Sequence, residues 1–241
     1  MAPVLLIPGL VSDGHVWKAA RAALAARGLA SAVADLTDAD TIPAMADALL
    51  ARHPGRRIVA GHSLGGRVAM AMAARAPDRL AGLALLNTGM HPMRPGEAEG
   101  REAAIALSRD HGMDALADAW LPGMMAQGRD PDPAVMAGLH AMVGRADPAL
   151  HARQVRALMA RPDAARTMGA WTGPLLLMTG RLDAFSPVAD HEAIARLCPQ
   201  AELHVVEDAG HFAPVERPAA VADRLAAWAV RVAAGGTPPA S

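Results

Sequence analysis

One cysteine, one lysine and no tyrosine stand among the 241 residues, and phenylalanine occurs only twice. A lone Cys198 closes no internal disulfide and builds no cysteine metal site, so nothing points to an oxidising compartment. It reads as a small hydrophobe. With aromatics at 2%, the stacking platforms of single-strand nucleic-acid binders are missing. The formal net charge is −1, carried on the positive side almost wholly by arginine, because Lys18 is the only lysine. Nucleic acid and anionic membrane are therefore excluded as expected partners. Long apolar runs are lacking too. Val4-Leu5-Leu6-Ile7 follows no basic segment and stops at Pro8-Gly9, which fits neither a signal peptide nor a membrane span and leaves the cytoplasm as the expected location.

What is present is a hydrophobic share of 52% against 20% charged, the balance of a well-buried globule. The length suits one large core with a single insertion. Continuous apolar runs predict buried parallel strands at 4–7, 30–34, 57–60, 80–86, 174–179 and 201–206, and helical spacing predicts helices at 16–26, 42–51, 67–75, 188–197 and 219–232. Strands alternating with helices give a parallel sheet covered on both faces, whose ligands bind beyond the carboxyl ends of the strands. From about Met90 to Thr172 the β-branched runs vanish, and Met, Ala, Leu and Trp recur at helical spacing. The expected division is an α/β core over 1–89 and 173–234, a helical insertion over 90–172, and a disordered tail over 235–241.

Gly61-His62-Ser63-Leu64-Gly65 falls between a predicted strand and a predicted helix, the setting of a nucleophile elbow with Ser63 on the turn. Glycines two residues to either side of the serine fit a turn too tight for side chains. A serine hydroxyl needs a histidine to take its proton and a carboxylate to orient that histidine. Asp183, in Gly180-Arg181-Leu182-Asp183, and His211, in Asp208-Ala209-Gly210-His211-Phe212, each follow a predicted strand and complete the chain order Ser, Asp, His. Asp190 falls inside the next helix, and Asp208 lies only three residues before the histidine. The other place for an acid, after the strand at 80–86, holds Asn87, a neutral amide that cannot stabilise an imidazolium as a carboxylate does. His15, His62, His91 and His191 are expected in solvated or capping roles. No His/Cys/Asp/Glu cluster has metal-ligand spacing, so no metal site is expected.

Through Gly61-His62-Ser63-Leu64-Gly65-Gly66, Gly180-Arg181-Leu182-Asp183 and Gly210-His211-Phe212, the sequence resembles the α/β-hydrolase superfamily, in its short carboxylesterase-like branch. The resemblance covers nearly the whole chain. It implies an α/β-hydrolase fold, a mostly parallel sheet of about six strands with helices on both faces, a helical cap inserted after the strand ending near Asn87, and no cofactor. It also implies an oxyanion hole made by the backbone N–H groups of Leu10 and Leu64. Here Pro8-Gly9-Leu10 stands where the family commonly has His-Gly, so any bracing by that histidine must come from elsewhere.

Met residues of the insertion read mostly as core filler, with Trp120 and Met124 the better candidates for a substrate pocket. Charges there are mixed, Arg94, Arg101 and Arg109 against Glu97, Glu102, Asp110, Asp114 and Asp118, and no patch argues for a charged acyl group. The expected activity is a serine hydrolase cleaving a small to medium, mainly apolar ester through an acyl-enzyme. The alternatives are the same three residues working as a C–C bond hydrolase, lactonase, thioesterase or acyltransferase, or a non-catalytic small-molecule receptor.

Overall fold

The computed structural model describes residues 1–235. Val4–Ile7 forms β1, fully buried on both faces as its unbroken apolar run requires. Helix α1 (Lys18–Ala26) ends ahead of Gly28, which takes φ +74°, and leads to the short strand β2 (Ser31–Val33). Helix α2 (Ile42–Arg52) starts where the Thr41 hydroxyl accepts the Ala44 N–H. Strand β3 (Arg57–His62), helix α3 (Leu64–Arg75) and strand β4 (Leu80–Leu86) follow, with a single 3₁₀ turn at Pro77–Arg79.

Four helices separate β4 from the rest of the sheet: α4 (Glu97–Met124), broken at Gly112 where φ is +87°, α5 (Pro133–Val143), α6 (Pro148–Met159) and α7 (Ala165–Ala170). Asp132 and Asp147 cap α5 and α6, accepting the N–H groups of Ala134 and Leu150. The chain returns through β5 (Leu175–Gly180), α8 (Val188–Leu197), β6 (Ala201–Val206), the four-residue α9 (Ala213–Glu216) and α10 (Pro218–Ala233). The expected tail lies, from residue 236 on, outside the described residues.

The six strands are all parallel in the order β2-β1-β3-β4-β5-β6. Alternate side chains of each strand serve opposite faces. Leu5, Ile7, Val59, Leu85 and Leu177 meet α2 and α3 in one cluster, while Val4, Leu6, Ile58, Leu86 and Leu176 meet α1 and α10 in another around Trp17 and Trp228. A third cluster joins α4 and α5, through Met113, Leu116, Leu121, Met142 and Val143, to Val11 and Phe212 of the sheet loops. Helix α7 lies within the expected insertion, yet it packs on α3 and α8 and sends Met168 into the first cluster, where Cys198 is also buried. No helix among the described residues is long and apolar enough to cross a membrane.

Two local differences from the sequence reading bear on the site. Strand β3 runs two residues past Ala60, pairing Gly61 with Ile7 and with Leu85, and α3 begins at Leu64. Glycine is a poor strand former in isolation, but here the neighbouring backbones leave space for nothing larger. The chain passes from β1 outward to β2 and then back across to β3, so the connections leaving the carboxyl ends of β1 and β3 diverge and open a crevice between them.

Candidate active site

Ser63 occupies that crevice on a single residue between β3 and α3, with φ +54° and ψ −115°, a left-handed backbone that non-glycine residues rarely adopt. The turn is held in this state from both sides. The Ser63 N–H donates to the Leu86 carbonyl at 2.9 Å, and the Thr88 hydroxyl donates to the Ser63 carbonyl at 2.9 Å. A Cβ on Gly65 would stand 2.2 Å from the Ile7 carbonyl oxygen, and one on Gly61 would stand 2.2 Å from that of Gly65. The two flanking glycines are therefore steric requirements of the crossing between α3 and the sheet.

Asp183, three residues beyond β5, and His211, five beyond β6, meet Ser63 across the sheet end. The His211 Nδ1–H points to both Asp183 oxygens, at 3.1 and 3.0 Å, which leaves Nε2 as the acceptor for the Ser63 hydroxyl at 2.9 Å. Asp183 is 3% exposed. Burial alone would raise its pKa, but the adjacent His211, together with hydrogen bonds from His211, Asn87 and the Ser186 N–H, holds the carboxyl well below the usual carboxylate range. Asn87, read in the sequence only as a missing acid, sits beside Asp183. Its backbone is at φ +47°, and its Nδ2 donates to Asp183 Oδ2 at 2.9 Å and to the Gly210 carbonyl at 3.1 Å. The His211 loop is pinned further by its own N–H on the Met124 carbonyl at 2.8 Å, and by Glu216, whose two oxygens accept the Gly210 and Ala126 N–H groups at 2.9 Å each.

His62 is neither solvated nor a cap. It is 1% exposed, stacks on Phe212 with ring centroids 5.5 Å apart, and donates its Nε2–H to the His211 carbonyl at 2.8 Å. Burial pushes its pKa down to about 3. His191 is likewise buried, its Nε2 accepting the Thr88 N–H at 3.3 Å, and its pKa is pushed down to about 4. Both are neutral packing residues, because an imidazolium buried this deeply would lose its hydration.

Leu10, in the loop after β1, and Leu64, the first residue of α3, line one cavity with Ser63 and His211. Their N–H groups take part in no hydrogen bond among the described residues. The brace that Pro8 cannot supply comes from α6. The Gln154 Oε1 accepts the N–H of Val11, itself at φ +41°, at 2.8 Å in a buried contact. Sequence reasoning missed Gln154 because the contact spans 143 residues.

The cavity has a volume of about 760 Å³. Trp120 and Met124 both line it, with Leu116, Val155, Leu158 and Phe185 on the same apolar side. The mixed charges of α4 and the segment before it are sorted by the fold. Arg109 pairs with Asp110 in solvent, and Asp114 and Asp118 meet His140 at the surface, whereas Arg94, Glu97 and Arg101 face the cavity beside Arg67 and Arg161. The expectation of no charged patch fails for this reason. Arg94, Arg101 and Arg161 all come from residues 90–172, but the fold turns them to the cavity, where Arg67 of α3 joins them, and turns most of the acidic residues of α4 to solvent. No three His, Cys, Asp or Glu side chains converge as a metal-ligand set among the described residues.

The pattern of the Alpha/beta hydrolase family matches residues 4–224. A thermophilic esterase from Thermogutta terrifontis is 31% identical and superposes with a TM-score of 0.86 over 96% of this chain and 90% of its own. The enol-lactonase from Burkholderia xenovorans LB400 is 25% identical, with a TM-score of 0.84 over 95% of this chain and 91% of its own. A carboxylesterase structure from Nitrososphaera gargenis, 17% identical with a TM-score of 0.86 over 97% of this chain and 92% of its own, shares the fold. With the family pattern spanning nearly the whole sequence and a 31% identical esterase superposing along its length, the chain belongs to the alpha/beta hydrolase family.

Proposed function

We propose that the protein is a serine hydrolase cleaving small to medium, mainly apolar esters through Ser63, His211 and Asp183. The observation that carries this reading is the 2.9 Å contact of the Ser63 hydroxyl with His211 Nε2, on a strained turn, with Asp183 on the opposite ring nitrogen. In this reading His211 takes the hydroxyl proton as Ser63 Oγ attacks the ester carbonyl, and the imidazolium is stabilised by Asp183. The oxyanion is received by the N–H groups of Leu10 and Leu64. His211 then protonates the departing alcohol, leaving an acyl-Ser63. Water, deprotonated by His211, attacks the acyl carbon, and Ser63 regains its proton as the acid departs. Residues 1–89 and 173–234 serve as the core and 90–172 as the inserted cap, α7 excepted because it packs with the core, and the cap supplies Trp120 and Met124 as apolar contacts for substrate.

A second reading, a lactonase using the same residues, is favoured by the likeness to the enol-lactonase. There the leaving alcohol stays tethered to the acyl group. The test is steady-state hydrolysis of p-nitrophenyl esters from acetate to decanoate, beside a panel of lactones, by the wild type and Ser63→Ala, with intact-mass detection of a fluorophosphonate adduct. The adduct is expected to vanish in Ser63→Ala, and kcat to fall by about 10⁴-fold or more. A folded wild type with neither turnover nor adduct would sink the reading and bring the receptor alternative forward.

A further inference from the structure

The cavity that holds Ser63 is apolar on one side and cationic on the other. Four guanidinium groups line it: Arg67, Arg94, Arg101 and Arg161. Among the described residues only two carboxylates answer them. Glu97 is shared by Arg101 at 3.2 Å and Arg161 at 2.8 Å, and Asp190 takes Arg94 at 2.5 Å and His91 at 3.2 Å. Arg67 pairs with no carboxylate among the described residues.

Arg67 is also 92% buried, its exposure being only 8%. It lies four residues past Ser63 in the sequence, within the first turn of α3, and both residues line the same cavity. Its Nη1 donates to the His91 carbonyl and its Nη2 lies 3.5 Å from the His91 ring, which leaves most of a five-donor fork uncommitted. Arg161, by contrast, commits four of its five donors, to the carbonyls of His91, Leu158 and Pro92 and to Glu97. Burial, reinforced by the nearby Arg161, pushes the pKa of Arg67 down to about 9. Glu97 and Asp190 act on it only from a distance, both being engaged by other cations, so the Arg67 fork faces the cavity with no carboxylate in contact with it.

Resting on the hydrolase reading, we propose that Arg67 is a substrate-binding residue and that the substrate carries a free carboxylate in addition to its scissile acyl group. The planar fork suits a bidentate carboxylate. The apolar wall around Trp120 takes the body of the molecule, and the surplus positive charge of the opposite wall selects the anion.

The experiment uses Ser63→Ala protein, so that bound esters persist, and compares monomethyl glutarate with neutral dimethyl glutarate by titration calorimetry. A second pair, 4-acetoxybenzoate and its methyl ester, places the anion on the alcohol side instead. In at least one pair the anion is expected to bind about 30-fold more tightly, and the added substitution Arg67→Gln to remove most of that preference. Equal affinities within both pairs, no measurable binding of either anion, or a preference that survives in folded Arg67→Gln protein would overturn the proposal. Should Arg67→Gln fail to fold, Arg67→Lys keeps the charge without the fork, and the comparison within each pair decides without any change at position 67. Binding to Ser63→Ala needs no turnover, so this outcome is separable from the hydrolase reading, which stands or falls on Ser63-dependent cleavage of neutral esters.

Discussion

Asn87 is a positioning residue of the proposed reaction, because its amide fixes the Asp183 oxygen that His211 needs and simultaneously holds the carbonyl preceding His211. The replacement Asn87→Gly keeps the φ +47° backbone unstrained while deleting the amide. It is expected to lower kcat by about 10-fold with little change in KM, which steady-state kinetics on one neutral ester would read. Equal losses in kcat and Tm-limited activity on every ester, with KM raised alike, would mean only a loosened site. Gln154 acts on the other side of the serine. Gln154→Leu leaves the buried Val11 N–H unpaired and frees the Leu10 loop, so kcat is expected to fall by about 10-fold while Gln154→Glu, which still accepts, retains more of it. Neither role was readable in the sequence, since each depends on a partner brought from more than 90 positions away.

At the scale of elements, the crossing of α3 over β1 and the anchoring of α9 are the places where one substitution does most. Gly65→Ala puts a methyl 2.2 Å from a main-chain oxygen that cannot rotate aside, so α3 must lift from the sheet. A loss of about 3 kcal/mol or more is expected in urea unfolding. An alanine there as stable as the wild type would contradict this packing. Glu216, on a four-residue helix too short to be seen in the pattern, ties the end of α4 to the His211 loop through two N–H groups. Glu216→Ala strands both donors in a half-buried setting and is expected to cost about 2 kcal/mol in the same assay. The strands and the longer helices of the core, in contrast, are legible in the sequence to within two or three residues, because burial of a whole strand or one helix face leaves a periodic imprint, whereas α4, α5 and α6 are legible only as helical spacing without bounds.

For the whole molecule, the buried neutral histidines set the response to acid. His62, His191 and His151 have pKa values pushed down by burial to about 3, 4 and 4. The unfolded chain binds their protons near pH 6.5 while the folded chain does not, so stability rises with pH between about 4 and 6.5 and is lost as pH falls through that window. Each imidazole contributes a slope of up to about 1.4 kcal/mol per pH unit. Asp183, whose folded pKa is depressed, adds its own loss only below its unfolded value of about 3.9. Urea midpoints measured from pH 7.5 to 4 should fall steeply from about pH 6. His62→Gln and His191→Gln would each flatten the slope, and a flat wild-type profile would refute the assignment.

The alternation of apolar runs, the glycines about Ser63 and the chain order of Ser63, Asp183 and His211 by themselves determine the parallel sheet and three of its loop residues. Those features are local, or repeat along the chain, and a sheet of this kind delivers every strand end to one edge. Which neighbours meet at that edge was decided by tertiary structure alone. Asn87 became a partner of Asp183, Gln154 a brace for Val11, and Arg67 a buried cation beside Ser63. The first two join segments 96 and 143 residues apart, and the burial of Arg67 depends on His91 from beyond β4, so none of them leaves a periodic signal in the sequence.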